Sequence, residues 1–490
     1  MSVNKILFVS SEVQPIIKTG GLADVSGSLP PALKALRRDL RILMPAYGEA
    51  LKKVPGAREI ARLTMADITE PVRILETRLK GSSVPIWLVD APSLFDRPGN
   101  PYVDANGHDW PDNAQRFTLF AKVAVEVALG QTELGWRPDL VHCNDWQTGL
   151  IPALLHGHTD RPATVFTIHN LAYQGLFNWD TFALLNLPES LWSMEAMEFY
   201  DQVSFIKGGI VFADMISTVS PMYAEEIRTP EYGHGLEALL TSRADRLVGI
   251  LNGVDYGHWN PARDSYLKHK YNAHTVSEKI YNKLQLQRQF GLPVDEHIPL
   301  IGMVSRLAEQ KGIDMILEAL PALTRHPVQF VFLGNGDKDL EQGLTDASQQ
   351  FHDQVAVFIG YDEQLAHRIE GSADMFLMPS RYEPCGLNQI YSLRYGTLPI
   401  VRRTGGLANT VINADSKTIR QGTATGFIFD DPSAAALTAT VERALTLFAD
   451  PKKWKKLVFS AMQQDFSWRR SAKHYLELYK QAERHRSEAV

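Results

Sequence analysis

The sequence predicts an α/β protein built from two Rossmann-like parallel sheets. Three observations carry that reading. Short, β-branched, nearly continuous apolar runs alternate with longer amphipathic stretches, which is how strands buried on both faces of a helix-covered sheet are written. Many of those runs end in polar or Gly-rich residues, and ligands of open α/β sheets bind outside the carboxyl ends of the strands. Loop chemistry then interrupts the pattern near the middle of the chain.

The strands of the first half are KILFVSSE, LRILMPAY, VPIWLVDA, LVHCND, ATVFTIHN and MISTVS. Those of the second half are PLIGMVSRL, VQFVFLGNG, VAVFIGY, MFLMPS and LPIVRRTGG. The break falls near residues 250–260, in LNGVDYGHWNP, where Gly253, Asn260 and Pro261 supply turn chemistry. A charged helical stretch follows over residues 276–291. The tail from Ser467 to Val490 is helical and highly charged, and its aromatics Trp468, Tyr475 and Tyr479 suggest that it docks on something.

Composition narrows the function. The chain has 490 residues, long enough for more than one core, and a net charge of −6. That charge disfavours a polyanionic partner such as nucleic acid. Two cysteines, Cys143 and Cys385, support neither a disulfide framework nor a Cys-only zinc site, which fits a reducing compartment. The apolar run Ile6 to Val9 is too short for a signal-peptide core, and no run of about 18 apolar residues is present to span a membrane. A cytoplasmic protein is expected.

Several phosphate and metal motifs are absent. There is no Gly-Lys dipeptide and hence no P-loop, no HExxH, and GNGDKD lacks the third glycine of a dinucleotide fingerprint. Asp337-Lys338-Asp339 has the spacing of a metal-holding pair but reads as a capped first helical turn.

What remains sits on strand-to-helix loops. KTGGLADVSGSLP combines the cation of Lys18 with Gly20-Gly21, which let a backbone approach a ligand, although a plain Gly-rich turn fits equally. Thr-Gly-Gly-Leu-Ala recurs at residues 404–408, so two Gly-Gly turns at helix N-termini could form two anion nests. SRLAEQKGID places Arg306 and Lys311 five residues apart after an apolar strand, where they could clamp a diphosphate or be ordinary surface charge. In PSRYEPCGLNQ, Pro384 keeps Glu383 out of helical dihedrals, and Cys385-Gly386-Leu387 opens a helix with amides to offer. HCNDW and TIHN end two first-half strands with Asp145, His169 and Asn170. A lone histidine there fits a structural role as well as a ligand-facing one.

Taken jointly, seven segments resemble glycosyltransferase family 5, the bacterial glycogen synthases and plant starch synthases. They are Lys18 to Leu22, His142 to Trp146, Ile168 to Asn170, Asn252 to Asp255, Arg306 through Gly312, Glu383 to Leu387 and Thr404 to Leu407. The resemblance runs from the first strand to about Trp468. It implies a GT-B fold, with two Rossmann-like domains facing a central cleft. An acceptor-side domain would cover residues 1–250, with a helix over 467–490 packing back on it. A nucleotide-sugar-binding domain would cover 251–466.

The resemblance further implies retaining transfer of glucose from ADP-glucose to the non-reducing 4-hydroxyl of an α-1,4-glucan. It implies no prosthetic group and no metal. Carried over by position, Arg306 and Lys311 would hold the diphosphate, while Glu383 and the amides of Cys385, Gly386 and Leu387 would hold glucose hydroxyls. Lys18 and Gly21, with Gly20, would contact donor phosphate or sugar. His169 would sit by the reacting glucose, and Asp145 and Asn170 near sugar or acceptor. Asn252 would line the cleft, Tyr361 would pack against the base, and Thr404 and Gly405 would complete the donor site. A transferase acting on another acceptor, a sugar-nucleotide epimerase and a two-domain sugar-binding protein are the rival readings. Chain growth on short maltodextrins separates them.

Overall fold

A computed structural model describes residues 3–104 and 106–488. Ala489 and Val490, the last residues of the expected tail, lie outside the described residues. The chain divides into two compact units, one of residues 1–253 with 468–490, the other of residues 254–467.

The first unit is organised by one nine-stranded sheet. Its strands are β1 (Lys5–Val9), β2 (Asp39–Pro45), β3 (Arg58–Leu63), β4 (Val72–Arg78), β5 (Pro85–Asp90), β6 (Leu140–Asn144) and β7 (Ala163–Ile168). A small three-stranded antiparallel sheet of β8 (Leu176–Asn178), β9 (Glu198–Phe199) and β10 (Gln202–Ser204) follows. The large sheet is completed by β11 (Met215–Thr218) and β12 (Leu247–Gly249). Its order is β12-β11-β7-β6-β1-β2-β5-β4-β3. All pairs are parallel except β3 with β4 and β4 with β5. Strands β1 and β6 are buried along nearly their whole length, as expected with helices on both faces.

The antiparallel edge departs from the all-parallel expectation, and its sequences say why. REIARL and VRILETR mix charged with apolar residues and are only partly buried, so part of each can meet water.

The second unit holds a six-stranded parallel sheet of β13 (Leu300–Val304), β14 (Gln329–Gly334), β15 (Val355–Ile359), β16 (Met375–Met378), β17 (Leu398–Arg402) and β18 (Phe427–Phe429). The order is β15-β14-β13-β16-β17-β18. Alternate residues of β14 feed two separate cores: Phe330 and Phe332 enter one, Val331 and Leu333 the other. Each such side chain, fully buried, contributes roughly 1.5–3 kcal/mol.

Both sheets reverse direction beside their first strand. In the first, the chain runs β1, β2, β5 outward and then returns to lay β6 on the other side of β1. In the second it runs β13, β14, β15 and returns to lay β16 beside β13. The carboxyl ends of β1 and β6, and of β13 and β16, therefore flank the two switch points where α/β sheets bind ligands.

The terminal helix, Trp468–Glu488, belongs to the first unit. Its buried residues Ser471, Ala472, Tyr475, Leu478, Tyr479 and Ala482 recur at helical spacing. Tyr479 Oη lies 2.8 Å from His142 Nδ1, and His142 Nε2 lies 2.6 Å from Thr167 Oγ1. Burial pushes the His142 imidazole down to about 3, so it is a neutral structural link between helix and sheet. Gly253 is required where the chain leaves this unit, because a Cβ there would stand 2.5 Å from the Trp468 Cα.

Candidate active site

In the first unit the loop after β1 is built around a carboxylate. Glu12 is 3% exposed. It accepts hydrogen bonds from the Thr19 amide, from Thr19 Oγ1 at 2.6 Å, from the Gly20 amide at 3.3 Å and from Tyr102 Oη at 2.7 Å. The Lys18–Gly20 turn is thus held before the helix Gly21–Ala35 begins. A Cβ on Gly20 or Gly21 would meet nothing within 4 Å, so these glycines border open space. Lys18 does not stand alone there. Its ammonium pairs with Asp24 of the same helix at 2.7 Å.

Across the switch point, Asp145 follows β6 with φ 58° and ψ −179°. That region of backbone space is nearly reserved for glycine and costs about 1–3 kcal/mol for any other residue. The surroundings hold it: the Asp145 amide donates to Thr167 O at 2.9 Å, and Asp145 Oδ1 accepts from the His169 amide at 2.7 Å. The Asn170 amide also donates to this carboxylate. Asp145, His169 and Asn170 are therefore one hydrogen-bonded group spanning the ends of β6 and β7.

His169 is oriented by Asn144. The Asn144 amide nitrogen donates to Val9 O at 3.0 Å, which turns Asn144 Oδ1 toward His169 Nε2, also at 3.0 Å. Nε2 therefore carries the proton and Nδ1 is the acceptor. Burial pushes the imidazole down to about 3, keeping it neutral at ordinary pH.

The protein crowded around the Asp145 carboxyl, which outweighs its two amide donors, pushes it up to about 7. An unfolded aspartate titrates near 3.9. The native state therefore holds this proton more tightly than the unfolded state does. The stability it contributes is fully present below about pH 4 and is lost as pH rises through about 7. Asp145→Asn, which cannot ionise, is expected to flatten the dependence of the urea midpoint on pH across that window. An unchanged slope would show that Asp145 is not the titrating group.

Asn252 follows β12 and is 6% exposed. Its Oδ1 is buried with no hydrogen-bond partner among the described residues. An unsatisfied buried carbonyl costs about 1–3 kcal/mol, which a ligand hydroxyl would offset.

In the second unit, Arg306 and Lys311 lie on the loop between β13 and the helix Ile313–Leu323. Glu383 lies beyond β16, on the other side of the switch point. Lys311 Nζ pairs with Glu383 Oε2 at 2.5 Å, and the Ser380 hydroxyl donates to the same oxygen at 3.0 Å. Both charged side chains are largely covered, at 17% and 9% exposure. Two further latches join these loops: Gln310 Nε2 donates to Tyr382 O at 3.1 Å, and Arg381 pairs with Asp314 at 2.7 Å. Arg306 is exposed and reaches Gln310 Oε1 at 3.4 Å.

The helix after Glu383 spans Asn388–Tyr395, three residues after the Cys385 opening that the sequence suggests, with Leu387 as its N-cap. Gly386 before it has φ +69°. Asn388 Nδ2 ties this helix start to Val304 O at 2.6 Å.

The second Thr-Gly-Gly turn has different surroundings from the first. A Cβ on Gly405 would lie 1.9 Å from Glu383 O, and one on Gly406 1.9 Å from Cys385 O. The Gly406 amide donates to Glu383 O at 3.1 Å and to Pro384 O at 3.2 Å. Thr404 and Gly405 thus back the Glu383–Cys385 turn, and Gly406 spends its amide on protein. The same sequence thus borders open space in one unit and is closely packed in the other.

Tyr361 follows β15 at the sheet edge and is 78% exposed. Asp337 accepts from the Asp339 and Leu340 amides and caps the helix Lys338–Gln350, the role its sequence suggests.

Four residues with defined roles were not singled out from sequence. Glu12 and Asn144 end apolar strands, and that position was the available signal. Ser380 and Asn388 carried none.

Residues 5–242 match the family model described as starch synthase catalytic domain, and residues 286–458 match glycosyl transferases group 1. A glycogen synthase of Methylococcus capsulatus is 55% identical over 98% of this chain and 96% of its own length. One of Thioalkalivibrio sulfidiphilus is 53% identical over 97% of this chain and 99% of its own. Among solved structures, the catalytic domain of starch synthase IV from Arabidopsis thaliana, bound to ADP and acarbose, aligns with a TM-score of 0.87. It is 33% identical and covers 99% of this chain and 100% of that one. Sucrose-phosphate synthase from Thermosynechococcus elongatus, at 18% identity and a TM-score of 0.59 over 98% of both chains, shares the fold.

Proposed function

The chain belongs to the glycogen and starch synthase family of glycosyltransferases, and from that premise we propose that it moves glucose from ADP-glucose to the non-reducing 4-hydroxyl of an α-1,4-glucan, with retention and without a metal. The observation that carries the site assignment is the Lys311–Glu383 pair at the switch point of the second sheet. An ammonium and a carboxylate held side by side suit a donor whose phosphate and sugar hydroxyls are neighbours. The ADP and acarbose bound by the Arabidopsis relative support a nucleoside diphosphate and a glucan-like chain as ligands.

As the glycosidic bond to phosphate breaks, negative charge grows on the departing diphosphate and positive charge on the glucose. Lys311, Arg306 and the amides opening the Asn388–Tyr395 helix would meet the first. Glu383 would accept from glucose hydroxyls. Neutral His169, with Nδ1 as acceptor, would sit by the reacting glucose, with Asp145 and Asn170 fixing its loop. Lys18, Gly20 and Gly21 would border donor phosphate or sugar, Asn252 Oδ1 would accept a ligand hydroxyl, and Tyr361 would cover the base. Attack by the acceptor on the face that the diphosphate leaves, with the diphosphate taking the acceptor's proton, conserves configuration. Among the described residues no helix is long and apolar enough to cross a membrane, and a cytoplasmic location completes the reading.

Initial rates with ADP-glucose and UDP-glucose, measured side by side on glycogen and on short maltodextrins, test it. ADP-glucose should support chain growth on both acceptors at the higher kcat/KM. Preference for UDP-glucose would overturn the donor, and failure to extend either acceptor would overturn the glucan.

A further inference from the structure

We propose that the second unit carries a site for one divalent first-row transition ion of the zinc class, formed by His258 Nε2, His367 Nε2 and the Glu363 carboxylate. None of these residues belongs to the transfer site described above. Glu363 and His367 are four residues apart on the helix Glu363–Ser372, so their side chains share a face. His258 comes from the loop that opens the unit.

Their ligand atoms all lie within 4.8 Å of one another. His258 Nε2 is 3.0 Å from Glu363 Oε1 and 3.3 Å from His367 Nε2. Two nitrogens each about 2.0–2.1 Å from a tetrahedral ion stand roughly 3.3 Å apart, so the two imidazoles already span one edge of such a site.

The independent sign is the way His367 is held. It is fully buried, and its Nδ1 lies 2.8 Å from Asp264 Oδ2. That oxygen also accepts from Tyr395 Oη at 2.6 Å, and Asp264 Oδ1 accepts from the Tyr266 amide at 2.8 Å. A carboxylate only accepts, so Nδ1 carries the proton and the Nε2 lone pair faces His258. A carboxylate behind a histidine is how proteins orient imidazole toward a metal. Trp259 stacks on the His367 ring at 3.7 Å and 10°, and Tyr391 stacks on Trp259 at 3.8 Å and 5°. The lone pair therefore has a fixed direction. His258 and Glu363 are 46% and 42% exposed, which leaves an entry path and a fourth position for water. Two imidazoles and a carboxylate suit zinc and its neighbours better than magnesium or calcium.

The test uses the full untagged chain, stripped with chelator and titrated with Co(II) followed by visible absorption, then with Zn(II) in competition. One ion per chain should bind saturably with a tetrahedral Co(II) spectrum. His258→Ala and Glu363→Gln, both at exposed side chains, should each weaken binding by at least 100-fold while melting like the wild type in chelator. Asp264→Asn should weaken it by about 10–100-fold. Zn(II) should raise the melting temperature of the wild type and leave that of His258→Ala unmoved. Absence of saturable binding to the wild type, or equal binding to His258→Ala, overturns the site and leaves the three residues as a metal-free hydrogen-bonded chain.

Discussion

Lys311→Ala is expected to lower turnover by roughly 10²–10³-fold, the usual loss when one preorganised charge stabiliser is removed. Lys311 sits at the carboxyl end of β13, beside the sheet's switch point, and is largely covered. In such surroundings its charge is screened less than in water. Its value peaks as the diphosphate departs, so kcat should fall more than KM rises. Arg306→Lys should also lose activity, because a point charge does not reproduce a forked, two-pronged contact. EDTA should leave the wild-type rate unchanged, even where it empties the His258 site. Abolition by EDTA and recovery with magnesium would sink the clamp and return Asp337 and Asp339 as ligand candidates. Near-normal turnover of Lys311→Ala would make Lys311 a structural partner of Glu383 only.

Glu383→Ala is expected to lose activity on the same scale, and here stability must be read beside turnover. The carboxylate accepts from both Lys311 and Ser380. Removing one member of a covered ion pair leaves the other uncompensated, at about 3–5 kcal/mol for a fully buried pair and less here, where Lys311 keeps some solvent. Glu383→Gln keeps the shape and an acceptor, so it should melt closer to the wild type while still failing in turnover. If turnover in both variants merely follows the fall in melting temperature, Glu383 anchors the loop and does not touch glucose. In the double variant Lys311→Ala with Glu383→Gln, the losses should be far from additive, because the residues are in contact.

Legibility differed by element for physical reasons. The buried parallel strands β1 and β14 announce themselves through the apolar runs ILFV and FVFL. REIARL and VRILETR carry no such run, because the antiparallel margin of the sheet, edge strand β3 and its neighbour β4, includes charged residues that meet water. The two- and three-residue strands, Glu198–Phe199 and Phe427–Phe429 among them, are too short for any period to register. At the site, Thr-Gly-Gly-Leu-Ala reads identically in both units. Nothing local reveals that Gly405 is pressed against the Glu383 carbonyl while Gly20 and Gly21 face open space.

The sequence by itself determined the parallel strands of the two sheets, their polar ends and the family, because burial pattern and strand-end chemistry are local properties of the chain. Only the tertiary structure decided which polar groups meet. Lys311 finds Glu383 because β16 lies beside β13, although β14 and β15 come between them in the chain. Asn144 orients His169 because β7 lies beside β6. His258 reaches Glu363 and His367 across more than a hundred residues. Strand order and loop closure set these meetings, and no periodicity along the chain encodes either.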